Sequence, residues 1–283
     1  MAATAEQVWM ITGSARGLGR ALAEAVLAAG GRVVATARRP EELAGLAARY
    51  GDRVRVAALD VTDEAGAHRA VADAVRAFGR LDVLVNNAGY GNVSPFEDTS
   101  PAEFRAQVET NLFGVVNVTR AAVPVMRAQR AGHLIQLSSV GGRLGAQGRT
   151  AYSAAKFGVE GFSEALAKEL APLGVRVTIV EPGGFRTDFA GRSTELREGR
   201  PEYAATVGAT ARFQREYDGA QPGDPARAAA VIMQLAAMDA PPLRLLLGSD
   251  AVRAVEAADL ARLEADRAWR HLSVSTDFPA GEA

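Results

Sequence analysis

Short apolar, β-branched runs recur along this chain, separated by longer segments of helical period, with glycine, proline and polar residues at the joins. The runs span residues 8–12, 32–37, 54–59, 83–86, 133–137, 175–181 and 243–247. They are too continuously apolar for strands with one wet face, and suit strands covered by helices on both sides. Helices are expected at 18–29, 41–50, 64–78, 101–130, 152–173 and 225–238, with Pro124 as a kink in the fourth. Strand and helix in this order predict an α/β fold: a doubly wound, Rossmann-like parallel sheet of about seven strands joined by right-handed crossovers. No linker or repeat divides the 283 residues, so one domain is expected. Two stretches break the alternation: a region at 184–223, too long for an ordinary connection and of the length that lids take, and a tail at 248–283 with one helix near 250–269.

Composition removes several functions. Lys and Arg number 32 against 33 Asp and Glu, a net charge of -1, which leaves no general field for nucleic acid or an anionic membrane. Cysteine is absent and the three histidines, His68, His133 and His271, are far apart, so no metal site is expected. The opening residues 1–7 lack a basic segment followed by an apolar run, and no stretch reaches the ~20 apolar residues of a membrane span. A cytoplasmic location is the expectation. Lysine occurs only at 156 and 168, so each lysine draws notice.

The first strand runs into Thr12, Gly13, Ser14, Ala15, Arg16, Gly17, Leu18 and Gly19, then into an apolar-periodic helix. Glycines there permit a tight turn and a close approach of backbone to a diphosphate, whose charge meets the helix N-terminal N–H groups. An acidic residue commonly ends the second strand of such folds to bind a ribose. Here that strand ends in Thr36, Ala37, Arg38 and Arg39. A guanidinium at that place suits a 2′-phosphate, and Arg16 inside the turn can approach the same group, so NADP(H) is the expected cofactor.

Tyr152 and Lys156 stand four apart at the start of a helical segment, on one face. A phenol titrates near ~10, and a neighbouring ammonium favours its ionised form. Ser139 follows the fifth strand at the carboxyl edge of the sheet, where open α/β sheets place ligands.

In combination these residues resemble the short-chain dehydrogenase/reductases, a family of single-domain Rossmann-like enzymes. The resemblance runs from about Val8 to Leu247 and rests on the Thr12 to Gly19 turn, Asp60 with Val61, Asn86 to Gly89, Asn111, Ser139, Tyr152 with Lys156, and Pro182-Gly183 with Thr187. It implies that Tyr152 is the acid in reduction and the base in oxidation, and that Lys156 lowers its pKa and holds the nicotinamide ribose. Ser139 would bind the substrate oxygen, and Asn111 would hold a water that links Lys156 to solvent. Asp60 and Val61 would contact adenine. Asn87, Ala88 and Gly89 would line the cofactor, with Pro182, Gly183, Phe185 and Thr187, the last reaching the carboxamide. Arg16 and Arg38 match the basic residues of NADP-preferring members.

The expected activity is therefore interconversion of a ketone or aldehyde with an alcohol, on a medium-sized hydrophobic molecule, by a homodimer or homotetramer. Phe185, Phe189, Tyr203, Phe213 and Tyr217 could form an apolar lid. Two alternatives remain open. A 3-oxoacyl-thioester reductase would need a basic docking patch, for which Arg127, Arg130, Arg143 and Arg149 are loose candidates. A non-catalytic NADP sensor would need no complete proton-transfer set.

Overall fold

A computed structural model describes residues 7–189 and 191–278. The expectations for the first six residues, for Ala190 within the loop region and for the end of the tail at 279–283 lie outside the described residues. In chain order the elements are β1 (Val8–Ile11), α1 (Gly17–Ala28), β2 (Arg32–Ala37), α2 (Ala44–Tyr50), β3 (Val54–Ala58), α3 (Glu64–Phe78), β4 (Val83–Asn86) and β5 (Gly91–Val93). They continue with α4 (Pro101–Val108), α5 (Gly114–Gln129), β6 (Gly132–Leu137), α6 (Thr150–Leu170) and β7 (Val175–Pro182). The chain then forms β8 (Thr194–Leu196), α7 (Val207–Tyr217), α8 (Pro225–Ala237), β9 (Arg244–Leu247) and α9 (Ser249–Val274).

Seven strands form one parallel sheet in the order β3-β2-β1-β4-β6-β7-β9. The order reverses between β1 and β4, and that switch point opens a crevice beyond the carboxyl ends of the strands. The unbroken apolar runs follow from burial on both faces. Trp9 and Ile11 of β1 enter the core layer that includes Leu22, Val26 and Ile232, while Met10 enters the opposite layer with Ala67, Val118 and Met126. β2 and β6 divide their residues in the same way, Val33 and Ile135 to one side, Val34 and Leu134 to the other.

The seven long runs and the main helices fall where the periodicity predicts, with three differences. The segment 101–130 is two helices: Ser100 caps α4 by accepting from Glu103 N at 3.2 Å while Glu103 Oε2 accepts from Ser100 N at 2.8 Å, and a π turn at Glu109–Phe113 then separates α4 from α5. Pro124 is inside α5, so the interruption lies at the π turn. The region at 184–223 carries structure of its own, since β8 pairs in parallel with β5 and α7 packs on that pair through Val93, Val207 and Ala211. Lastly, α9 runs to Val274, five residues past the expected end, with most of its side chains exposed. No helix among the described residues is long and apolar enough to cross a membrane.

Candidate active site

A cleft of about 800 Å³ opens along the carboxyl edge of the sheet at the switch point. The β1–α1 turn forms one end. Gly13 and Gly17 have φ of +68° and +59°, left-handed conformations that other residues resist, and a Cβ on Gly13 would lie 3.0 Å from Ala88 Cα. The N-terminus of α1 has no side-chain cap and no acidic residue in its first turn, so its N–H groups face the cleft without an internal partner. This is the donor set a diphosphate needs.

Arg16, Gly17 and Leu18 line that end, as do Arg38, Asp60 and Val61. Arg39 is tied to Glu42, whereas Arg16 and Arg38 make no ion pair among the described residues. Asp60 Oδ1 is held by Thr62, from N at 3.0 Å and from Oγ1 at 2.7 Å, which fixes the carboxylate at the cleft wall.

Three residues of the turn work inside it and do not line the cleft. Thr12 Oγ1 accepts from the N–H groups of Asn87 at 2.9 Å and Ala88 at 3.0 Å, pinning the β4 loop to the turn. Ser14 Oγ donates to the Ile11 carbonyl at 2.7 Å and is fully buried. Gly19 lets α1 pack on Asn87, where a Cβ would collide with the amide nitrogen and the Gly13 carbonyl. Asn87, Ala88 and Gly89 themselves line the cleft, and Asn87 Nδ2 donates to Thr12 O at 2.8 Å.

The other end brings together Ser139, Tyr152 and Lys156. Ser139 Oγ accepts from Gly141 N at 3.0 Å, starting a short turn that presses against the Tyr152 ring. Lys156 Nζ donates to the Leu137 carbonyl at 2.7 Å and lies 5.9 Å from the Tyr152 ring centre. Burial lowers Lys156 to about 8, partly opposed by Glu160 one turn further along α6. Burial raises the Tyr152 phenol above its ordinary value, and the groups that pull it back are the Ser139 hydroxyl and the Arg149 charge. Arg149 and Lys156 lie at similar distances from the ring, the guanidinium carbon 5.8 Å and Nζ 5.9 Å from its centre.

Asn111 lies in the π turn and is fully buried. Its Nδ2 donates to the carbonyls of Tyr90 at 3.1 Å and Gln107 at 3.0 Å, and its Oδ1 accepts from Tyr90 N at 3.3 Å. The side chain thereby fixes the Gly89–Tyr90 backbone at the cleft wall.

Pro182, Gly183, Phe185 and Thr187 line the middle of the cleft, and Phe185 is anchored by a parallel bridge to Gly223. Of the five loop aromatics, Phe185, Phe189, Phe213 and Tyr217 line it, with Phe213 and Tyr217 stacked at 5.0 Å and Phe189 at 5.8 Å from Tyr152. Tyr203 does not: its hydroxyl donates to Glu97 at 2.8 Å, and its ring packs on the Val93 and Val207 cluster. The four arginines suggested as a docking patch are not assembled either. Arg127 and Arg130 end α5 at the opposite edge of the sheet, Arg143 is paired with Glu181 and Asp259, and Arg149 is inside the cleft.

Sequence reasoning missed Asp250. It lines the cleft from the first turn of α9, accepts from Gly184 N at 2.7 Å through Oδ2, and leaves a buried Oδ1 without a protein partner. Its position just after the last strand, at the ligand edge, was the available signal.

A glycine-lined helix N-terminus beside a Ser, Tyr and Lys set in a switch-point crevice defines a nucleotide-using α/β enzyme class, and comparison makes the class specific. A family model described as short chain dehydrogenase matches residues 7–198, and the chain belongs to that family of nicotinamide-dependent oxidoreductases. It is 46% identical to the oxidoreductase BOA17 of Botryotinia fuckeliana over 95% of this chain and 99% of that protein. The crystal structure of a short-chain dehydrogenase from Streptomyces avermitilis superposes with a TM-score of 0.90 at 44% identity, covering 96% of this chain and 99% of that one. A metagenomic short-chain oxidoreductase solved in complex with NADP gives 0.68 at 30% identity, over 86% of this chain and 96% of its own.

Proposed function

We propose that this protein is an NADP(H)-dependent oxidoreductase that interconverts a ketone or aldehyde with an alcohol on a medium-sized, largely apolar molecule. One observation carries the reading: a single cleft has an uncapped helix N-terminus with two unpaired guanidiniums at one end and Ser139, Tyr152 and Lys156 among aromatics at the other.

The fit to a dinucleotide is good on this chain's own residues. The α1 N–H groups and the Gly13 and Gly17 turn cradle the diphosphate, with Asn87, Ala88 and Gly89 alongside. Thr12, Ser14 and Gly19 hold the turn in shape. Asp60 and Val61 take the adenine side, while Arg16 and Arg38 pair with a 2′-phosphate. Pro182, Gly183, Phe185 and Thr187 take the nicotinamide side. When bound, the nicotinamide donates or accepts the hydride.

In reduction Tyr152 gives its phenolic proton to the substrate oxygen, and Ser139 Oγ donates a hydrogen bond to that oxygen. Burial keeps Tyr152 protonated at neutral pH, the form an acid needs. Lys156, at about 8, is mostly charged at pH 7 and binds the ribose hydroxyls. Asn111 fixes the wall between them. NADP use is supported by the NADP complex of the metagenomic relative. A homodimer or homotetramer belongs to the same reading and is supported by exposed Leu260, Leu263, Trp269 and Leu272 on α9.

The test is oxidation of NADPH and of NADH by the purified protein across apolar ketones, aldehydes and acyl thioesters, followed at the nicotinamide absorbance. Turnover with NADPH well above NADH supports the reading. Tight NADPH binding with no turnover on any carbonyl compound would replace it with the sensor.

A further inference from the structure

Arg149, at the catalytic end of the cleft, makes no ion pair among the described residues. It precedes α6 and projects beside Tyr152. Its Nη2 donates to the neutral Gln214 amide oxygen at 2.9 Å, and its guanidinium carbon lies 5.8 Å from the Tyr152 ring centre. The seat is shaped for it: a Cβ on Gly91 would lie 3.3 Å from Arg149 Nη1 and 3.3 Å from the Phe189 ring. No carboxylate among the described residues comes within ion-pair distance of it. The two acids in this part of the cleft are otherwise placed, Asp250 against Gly184 N and Asp188 at the exposed rim. Two other half-buried arginines are paired, Arg143 with Glu181 and Asp259, and Arg244 with Glu160 and Glu164.

A guanidinium withdrawn from water without a counter-charge is costly, and a ligand anion that completes it recovers that cost. A single guanidinium with one face on an aromatic ring and one edge on an amide has room for one planar, singly charged acceptor. That is a carboxylate, and a phosphate dianion would call for a second cation. Tyr90, Leu144, Phe189, Phe213 and Tyr217 line the same cleft, so the rest of the molecule is apolar.

We infer that Arg149 is a substrate-binding residue that pairs with a carboxylate carried by the carbonyl or alcohol substrate next to the reacting carbon, so that the preferred substrates are apolar 2-oxo acids and 2-hydroxy acids. The inference rests on the reductase reading of the same cleft and names its substrate class. The carboxylate is fixed near Tyr152 while Phe189, Phe213 and Tyr217 cover the hydrocarbon, which places the carbonyl oxygen at the Tyr152 and Ser139 hydroxyls.

The experiment compares 2-oxo-4-phenylbutanoate with its ethyl ester as substrates for wild type, Arg149→Met and Arg149→Lys, with NADPH binding read by fluorescence. In parallel, 3-phenylpropanoate and its methyl ester are tested as unreactive ligands by thermal shift in the presence of NADP+. Wild type is expected to prefer the acid, and Arg149→Met to reduce the acid-to-ester ratio of kcat/KM by ~10–100-fold, the loss of one charge-assisted pair. Arg149→Lys, which keeps the charge, should retain part of that ratio, and it carries the test if the Met variant fails to bind NADPH. The free acid alone should protect wild type from heat and leave Arg149→Met unprotected. Equal losses on acid and ester would overturn the inference, because Arg149 would then act through Tyr152 or the fold. Absence of protection by 3-phenylpropanoate would overturn it as well. Selective protection of wild type with no reduction of either oxo compound or of any other ketone, aldehyde or acyl thioester would uphold the carboxylate site while removing the reductase reading.

Discussion

His133 makes acid stability a sharp test of the fold. It lies in β6 with no exposed surface, and its Nε2 is 2.9 Å from Thr178 Oγ1. Thr178 Oγ1 already donates to the Pro242 carbonyl at 2.9 Å, so it accepts from His133, which places the ring proton on Nε2. Nδ1 is buried with no partner, and protonating it would strand an N–H beside the Arg176 charge. Burial and that charge lower His133 from 6.5 to about 3. A base lowered in the folded state binds its proton mainly when unfolded, so stability is full above 6.5 and falls as pH drops toward 3. Between pH 7 and pH 5 this single linkage removes about 2 kcal/mol. Glu181, raised to about 7 chiefly by burial, gains stability as pH falls through the same window, so wild type alone would hide the effect. His133→Gln keeps a donor for Thr178, keeps Glu181, and loses the titration. Urea unfolding of both proteins at pH 7, 6 and 5 and one protein concentration should show wild type losing about 2 kcal/mol more than the variant. Parallel losses would refute the tautomer and the buried, partnerless Nδ1.

Tyr152→Phe should bind NADPH normally by fluorescence yet lose turnover by ~10²–10⁴-fold, the usual span for a removed acid. Near-normal turnover would take the proton from elsewhere. Arg38→Ala should raise KM for NADPH by ~10–100-fold while that for NADH changes little, because only the former carries the 2′-phosphate. Equal changes for both would place the selectivity at another residue. Truncation after Trp269 should leave kcat/KM within about twofold, since α9 holds the active-site side through Arg143 with Asp259 and Arg262 with the Arg143 carbonyl, both before the cut. A large loss would show the last turn covering a cleft or an interface.

How far the chain could be read before folding divides along the cleft. The end at the β1–α1 turn was legible because its features are local: a turn needing glycines, a strand end lacking an acid, a helix whose first N–H groups stay free, all within residues 12–38. The seven strands were legible because each lies between two apolar layers and so carries no polar alternation to confuse it. The π turn at Glu109–Phe113 left no trace, since its apolar spacing continues that of the helices on either side, and only the approach of Asn111 to Tyr90 shows why it is there. β8 has three residues, too few for a period, and α7 is short and buries only Val207, Gly208 and Ala211.

The substrate end is built from those illegible pieces. Arg149 meets Gln214 of α7 across 65 residues, Phe189 and Gly91 from two further segments, and Tyr152 from its own helix. In a chain whose basic residues are nearly all arginine, nothing at position 149 distinguishes it from a solvated charge, and the same composition that made Lys156 conspicuous concealed it. What marks Arg149 is the absence of an acid beside it, a property of its surroundings in space. A cofactor shared by many enzymes can be read from short motifs, whereas a substrate particular to one enzyme is met by side chains gathered from unrelated segments. The acid-to-ester comparison at Arg149 therefore probes the part of the function that only the folded chain displays.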